Sequence, residues 1–174
     1  MTSPTLIVLG GLPGVGKTSI ARELVKHEPS VYLRVDIIEQ SLKTVASLGD
    51  VGPAGYVVAY EVARSNLALG MTVVADCVNP LSVTRKAWRA VATNGSFELL
   101  EVEIVCSNLA EHRNRVNGRS TDIPDFILPT WDDVMQNEYE TWVTPRLVID
   151  TALMTACEAA RSILESLPGN AADG

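Results

Sequence analysis

The stretch Thr5-Leu6-Ile7-Val8-Leu9-Gly10-Gly11-Leu12-Pro13-Gly14-Val15-Gly16-Lys17-Thr18-Ser19 decides how the rest of the chain is read. Thr5 to Leu9 is an unbroken apolar run, as expected of a strand buried on both faces of a parallel sheet. It ends in paired glycines, and Gly11 to Thr18 fit GxxxxGK[ST] in a strand-loop-helix setting. Glycines let the backbone take positive φ and fold around an anion, so that successive N–H groups and the next helix N-terminus point at phosphate oxygens. Lys17 adds a mobile positive charge, and the Thr18 hydroxyl suits Mg2+. Gly11, Leu12, Pro13, Gly14, Val15, Gly16, Lys17, Thr18 and Ser19 are therefore the expected nucleotide-binding set, a P-loop.

Outward from this loop, short apolar runs recur at Val31 to Val35, Met71 to Ala75, Leu99 to Cys106 and Leu147 to Ile149, with helical patterns between them. From Ala54 to Leu69 the polar positions Glu61, Arg64 and Ser65 share one face, which predicts a helix otherwise covered by neighbours. From Leu153 to Leu167 an apolar stripe of Leu153, Ala156, Cys157, Ala160, Leu164 and Leu167 opposes Glu158, Arg161, Ser162 and Glu165, which predicts a surface helix packed on a sheet. Alternating strands and helices imply βαβ units: a three-layer α/β sandwich with about five parallel strands. Ligands in such sheets sit at the carboxyl ends of the strands.

A length of 174 residues suits one domain, here residues 1–167, with 168–174 a frayed tail. A 47% apolar content excludes global disorder, and the net charge of -7 argues against strong non-specific binding to nucleic acid. Cys77, Cys106 and Cys157 lack CxxC spacing and lie in apolar stretches, which suits buried thiols in a reducing cytoplasm. The opening MTSPTLIVLGGLPG has no basic n-region, and its apolar run is far short of a membrane span. His27 and His112 stand without metal-ligand spacing, so no structural metal is expected.

With GLPGVGKTS, LRVDIIEQSL (33–42), VVADCVNP (73–80), EHRNRVNGR (111–119), PTWDDV (129–134) and RLVIDTA (146–152), the chain resembles the bacterial P-loop kinase family of the AAA-33 type. That family is akin to chloramphenicol phosphotransferase, polynucleotide kinase and zeta-toxin kinases. The resemblance implies a nucleoside-monophosphate-kinase-like fold with a small lid at about 111–130. It also implies transfer of the γ-phosphoryl of ATP, with Mg2+, to a hydroxyl of a small-molecule or nucleotide-like acceptor. Alternatives are a polynucleotide 5'-hydroxyl kinase, for which Arg85, Lys86, Arg89 and the lid are the only basic material, and an ATP-dependent switch without acceptor turnover.

By the same resemblance Asp36, after the second strand, orients or deprotonates the acceptor hydroxyl; it would equally serve as the N-cap of a helix over Ile37 to Val45. Asp76 ends MTVVA in a loose Walker-B pattern and could hold a Mg2+ water or a substrate group, with Asn79 reaching the same cleft, although strands often end in Asp for turn reasons alone. Arg115 and Arg119 fall at i, i+4, with Arg113 on another side. The resemblance makes Arg115 and Arg119 lid arginines that close on ATP and stabilise the migrating phosphoryl, whereas spacing alone also fits a solvated helix face. The Pro-containing STDIPDFILP that follows reads as a flap. Asp150 and Thr151 match the family segment that passes near adenine, with Asp150 equally an N-cap. Thr130 to Asp133 has the form of a capping box opening a helix to about Trp142, on which Trp131, Met135, Tyr139 and Trp142 form a stripe, either core or a wall of the acceptor pocket.

Overall fold

The computed structural model describes residues 4–46 and 50–168; the tail expected at 168–174 therefore lies outside the described residues apart from Pro168. Five strands, β1 (Thr5–Gly10), β2 (Ser30–Arg34), β3 (Thr72–Asp76), β4 (Glu98–Val105) and β5 (Leu147–Asp150), form one sheet in the order β2-β3-β1-β4-β5. Every pairing is parallel. Seven helices connect or flank them: α1 (Lys17–His27), α2 (Val35–Ala46), α3 (Ala54–Ala68), α4 (Ser82–Gly95), α5 (Leu109–Gly118), α6 (Trp131–Gln136) and α7 (Ala156–Glu165).

Alternate residues of the central strand β1 feed opposite layers, as the two-residue period of a strand requires. Ile7 and Leu9 pack with Ile20, Ala21 and Leu24 of α1 and with Ala159, Ala160 and Ile163 of α7. Leu6 and Val8 pack with Ala59, Ala63 and Leu67 of α3 and with Trp88 and Val91 of α4. The three-layer sandwich follows from one central strand whose residues Leu6 to Leu9 are all apolar and buried.

Register then sets the functional edge. Leu9 lies opposite Asp76 on β3, Asp76 lies opposite Arg34 on β2, and Val105 lies opposite Asp150 on β5. The residues that end each strand therefore stand in one row at the carboxyl edge, where the P-loop leaves β1.

Four local expectations are revised. α3 is not covered all round: Val57, Val58 and Val62 are exposed, because its contacts come from the fully buried Gly55-Ala59-Ala63-Leu67 ridge and the half-buried Tyr56 and Tyr60 beside it. α7 begins at its Thr155 capping box, so Leu153 lies outside it, and its buried face is Ala159, Ala160 and Ile163, which leaves Cys157 exposed. That exposure sets Cys157 beside Glu23 and His27 of α1, with one possible ligand atom from each within 4.8 Å of the others. α6 starts at the Thr130 capping box as expected but ends at Gln136. Tyr139 and Trp142 lie beyond it, and Met135 is exposed, so the four residues form no helical stripe.

What holds Trp142 is Arg85, buried on α4. Its Nε donates to the Asn79 carbonyl at 3.0 Å, its Nη2 donates to the carbonyls of Pro80 (2.8 Å) and Glu140 (2.7 Å), and its guanidinium lies 4.2 Å from the Trp142 ring centroid. Arg89 pairs with Glu101 at 2.7 Å. Neither arginine is available for the basic groove that a polynucleotide acceptor would use. Among the described residues no helix is long and apolar enough to cross a membrane.

Candidate active site

Glycine is required at two P-loop positions on steric grounds. A Cβ at Gly11 would lie 2.3 Å from the Ile104 carbonyl oxygen, and one at Gly14, where φ is +85°, would lie 2.5 Å from Val116 Cγ2. The loop is thus pressed between β4 and α5. It is also stitched to the loop after β3, where the Val78 carbonyl accepts from the Gly11 N–H at 3.0 Å.

Two contacts with the opposite wall were not legible in sequence. His112 on α5, expected to stand alone, is buried and donates from Nε2 to the Pro13 carbonyl at 2.9 Å, with its ring edge-on to Trp131. The Thr151 hydroxyl, at the end of β5, donates to the Val15 carbonyl at 2.7 Å and accepts from Arg115 Nη1 at 2.7 Å. Arg115 Nη2 donates to the Thr151 carbonyl at 2.8 Å and also pairs with Glu111. Arg115 therefore stiffens the loop through Thr151. The i, i+4 relation with Arg119 is broken, because α5 stops at Gly118 and Arg119 continues in extended backbone (φ −78°, ψ 149°).

Lys17 is 8% exposed, and its Nζ donates to the carbonyls of Gly11 (2.7 Å) and Leu12 (3.0 Å). Burial pushes its pKa below the ordinary lysine value, while Asp76 and Asp36 oppose that shift. Thr18 Oγ1 donates to Asp76 Oδ2 at 2.8 Å, and the Tyr32 hydroxyl donates to the same oxygen at 2.8 Å. Burial, together with the Asp76 charge, pushes the Tyr32 phenol well up, so it remains a donor. Sequence reading missed Tyr32, because a strand tyrosine reads as core until its register against β3 is known.

Asp36 sits in the first turn of α2, inside the helix, and its carboxylate accepts no hydrogen bond within the described residues. The N-cap alternative is therefore set aside. Burial raises its pKa above the ordinary carboxylate range, with Asp76 adding to the rise and Lys17, Arg34 and Arg119 pulling against it.

Lys17, Thr18, Ser19, Asp36, Asp76, Arg115, Arg119 and Thr151 all line one cavity of about 960 Å3, together with Pro13, Gly14 and Gly16. Five expected members do not: Gly11, Leu12 and Val15 of the P-loop, and Asn79 and Asp150. Asn79 is fully buried at a positive φ of 51°, its side-chain oxygen accepting from Thr84 at 2.9 Å and its N–H donating to the Tyr56 hydroxyl at 2.9 Å. It shapes the turn after β3 and is walled off from the cleft. Asp150 uses one carboxylate oxygen to accept the N–H groups of Ser107 and Ala152, both at 3.0 Å, which holds its carboxyl below the ordinary range, Ser107 first. It fixes the β5 turn and caps no helix, since the α7 cap is Thr155.

The donor set at the Thr18-Asp76 pair fits Mg2+: a hydroxyl and a carboxylate, both hard oxygens, joined at the foot of the phosphate cradle.

A family model described as AAA domain, AAA_33, matches residues 6–137. The chain belongs to this family. No curated protein matches it. Among solved structures, Chaetomium thermophilum Kti12 in complex with ADP-AlF3 is similar at a TM-score of 0.68 and 18% identity, covering 94% of this chain and 100% of that one. A gluconokinase from Sinorhizobium meliloti 1021 gives 0.65 and 17%, covering 98% and 94%. The Mycobacterium tuberculosis APS kinase CysC in complex with AMPPNP and APS gives 0.62 and 22%, covering 95% and 100%. At these identities the likeness establishes the fold alone, which this chain shares with all three.

Proposed function

We propose that the protein is an ATP- and Mg2+-dependent phosphotransferase that moves the γ-phosphoryl group to a hydroxyl of a small-molecule or nucleotide-like acceptor. The observation that carries this reading is Asp36: a carboxylate without a hydrogen bond, in the same cavity as the P-loop, within electrostatic reach of Lys17 and Asp76. A binding module has no use for such a group, whose burial is costly, whereas in-line transfer needs one to hold the acceptor hydroxyl and take its proton. The solved neighbours named for gluconate and APS phosphorylation, and those captured with AMPPNP or ADP-AlF3, support the same reading.

In this account the P-loop N–H groups and Lys17 bind the β- and γ-phosphates, and Lys17 leaves the carbonyls of Gly11 and Leu12 to do so. Thr18 and Asp76 would hold Mg2+, which when bound neutralises phosphate charge. Tyr32 keeps the Asp76 carboxylate turned toward Thr18. Asp36 orients the acceptor oxygen and accepts its proton. Arg119, unpaired at its Nε and electrostatically coupled to Asp36, faces the charge that develops on the transferred group.

The test is ADP release measured with and without sugar, nucleoside, antibiotic and oligonucleotide hydroxyl compounds. Acceptor-dependent release in the natural protein, lost in Lys17→Met and in Asp36→Asn, is the expected result. Tight nucleotide binding with no acceptor dependence for any compound would overturn it in favour of a nucleotide switch.

A further inference from the structure

The side of the cleft beyond Asp36 is basic in a way the phosphate cradle does not need. Arg22 comes from α1, Arg34 ends β2 and Arg119 follows α5, and all three line the cavity. Arg34 is close enough for its positive charge to be felt at Arg119. Gathering like charges in a partly buried place is unfavourable unless something anionic joins them.

One anion is already there, and it is internal. Asp122, on the flap after α5, divides its carboxylate between two arginines: Oδ1 accepts from Arg34 Nη1 at 2.8 Å and Oδ2 from Arg22 Nη2 at 2.5 Å. The Arg34 hydrogen bond holds the Asp122 carboxyl below its ordinary range, so it is ionised at neutral pH. The two partners are unequally buried, with the Arg34 side chain 12% exposed and that of Asp122 54%. The flap therefore reaches in from solvent to touch a cation that belongs to the cleft.

That contact leaves donors unused. The Nε atoms of Arg34 and Arg119 are buried and have no hydrogen-bond partner among the described residues. Buried guanidinium N–H groups are normally paired. A planar carboxylate has only two oxygens, and Asp122 spends one on each of Arg34 and Arg22. A tetrahedral oxyanion brings at least one more oxygen, out of the carboxylate plane, and forked guanidinium groups are suited to such a ligand.

We propose that Arg34, Arg119 and Arg22 form a receiving site for a phosphate-like oxyanion carried by the acceptor, and that Asp122 occupies its edge until that group displaces it. The proposal rests on the phosphotransferase reading above and narrows its substrate class to hydroxyl compounds that already bear a phosphate or sulfate group. Arg34 lies two residues before Asp36, so an anion held there would place a neighbouring hydroxyl on the Asp36 side of the cleft. Displacement of Asp122 would also free the flap from α1 and β2, which links acceptor entry to flap position.

The test is calorimetric titration of inorganic phosphate into protein saturated with AMPPNP and Mg2+, so that the P-loop is already filled. The natural protein is expected to bind phosphate, Arg34→Gln to bind it at least tenfold more weakly, and Asp122→Asn several-fold more tightly, because the competing carboxylate is gone. The Asp122→Asn arm guards against an Arg34 variant that merely misfolds, since a gain in affinity has no such explanation. Phosphate binding that is absent, or equal in all three proteins, while AMPPNP still binds would overturn the anion site and leave the phosphotransferase reading standing. Failure of AMPPNP to bind would overturn both.

Discussion

Thr18 Oγ1 donates to Asp76 Oδ2 at 2.8 Å across 58 residues of sequence, and this hydrogen bond joins the first turn of α1, which closes the phosphate cradle, to the end of β3. If the pair holds Mg2+, replacing either oxygen should change metal dependence more than folding. Asp76→Asn is expected to raise the Mg2+ concentration for half-maximal ADP release by about 10–100-fold, the range typical of lost metal-site interactions. Tyr32→Phe removes one hydrogen bond to the same carboxylate oxygen and should shift it in the same direction but less. A Mg2+ titration of turnover decides this; curves that superimpose on the natural protein's would reject the assignment.

Asp36 carries opposite consequences for stability and for turnover. A carboxyl whose pKa is raised on folding binds its proton more tightly folded than unfolded. Ionising it therefore subtracts stability, beginning as pH climbs through the unfolded value of about 3.9 and complete above the folded one. Asp36→Asn should accordingly raise the melting temperature of the ligand-free protein at pH 7 and leave it unchanged near pH 3. The same variant should lose about 10²–10⁴-fold in turnover, the usual share of a general base. In the natural protein the acid limb of kcat/KM should lie above the ordinary carboxylate range. Calorimetry at the two pH values, beside the pH profile, gives the answer.

The fold was legible because its decisive signals are local. A strand buried on both faces must be apolar where it crosses the core, as Leu6 to Leu9 is, and the phosphate cradle occupies consecutive residues. What depended on register or on distant packing was not. Asn79 and Asp150 stand at strand ends and read as cleft residues, yet their side chains close turns, a choice made by Thr84 and Tyr56 in one case and by Ser107 in the other. Tyr32 and His112 were hidden for the converse reason: an aromatic in a strand and a histidine on a helix acquire meaning only when Asp76 and Pro13 arrive beside them. The α5 terminus at Gly118, which separates Arg115 from Arg119, has no break stronger than a single glycine to announce it.

Gly14 tests how tightly α5 grips the P-loop. Gly14→Ala meets two separable penalties: a left-handed backbone costing an L-residue about 1–2 kcal/mol, and a Cβ placed 2.5 Å from Val116 Cγ2. Overpacking of that kind adds about 1–3 kcal/mol. Val116→Ala in the same chain should relieve the second penalty and not the first. A double-mutant cycle read by denaturant unfolding is expected to show Gly14→Ala less damaging in the Val116→Ala background. Strict additivity would mean that α5 does not press on the loop.

Arg85 separates a structural cation from a nucleic-acid contact. Arg85→Met keeps much of the stem but orphans the carbonyls of Asn79 and Glu140, leaves the Pro80 carbonyl with the Glu140 N–H alone, and removes the cation above Trp142. Unmet buried carbonyls cost about 1–3 kcal/mol each and are not additive, so a loss of about 3 kcal/mol is expected. For a chain of this size that lowers the melting temperature by about 6–12 °C. AMPPNP affinity per folded molecule should stay within about twofold, because the guanidinium lies behind the turn and not in the cleft. An unchanged melting temperature combined with weakened oligonucleotide binding would instead make Arg85 part of a basic groove and revive the polynucleotide acceptor.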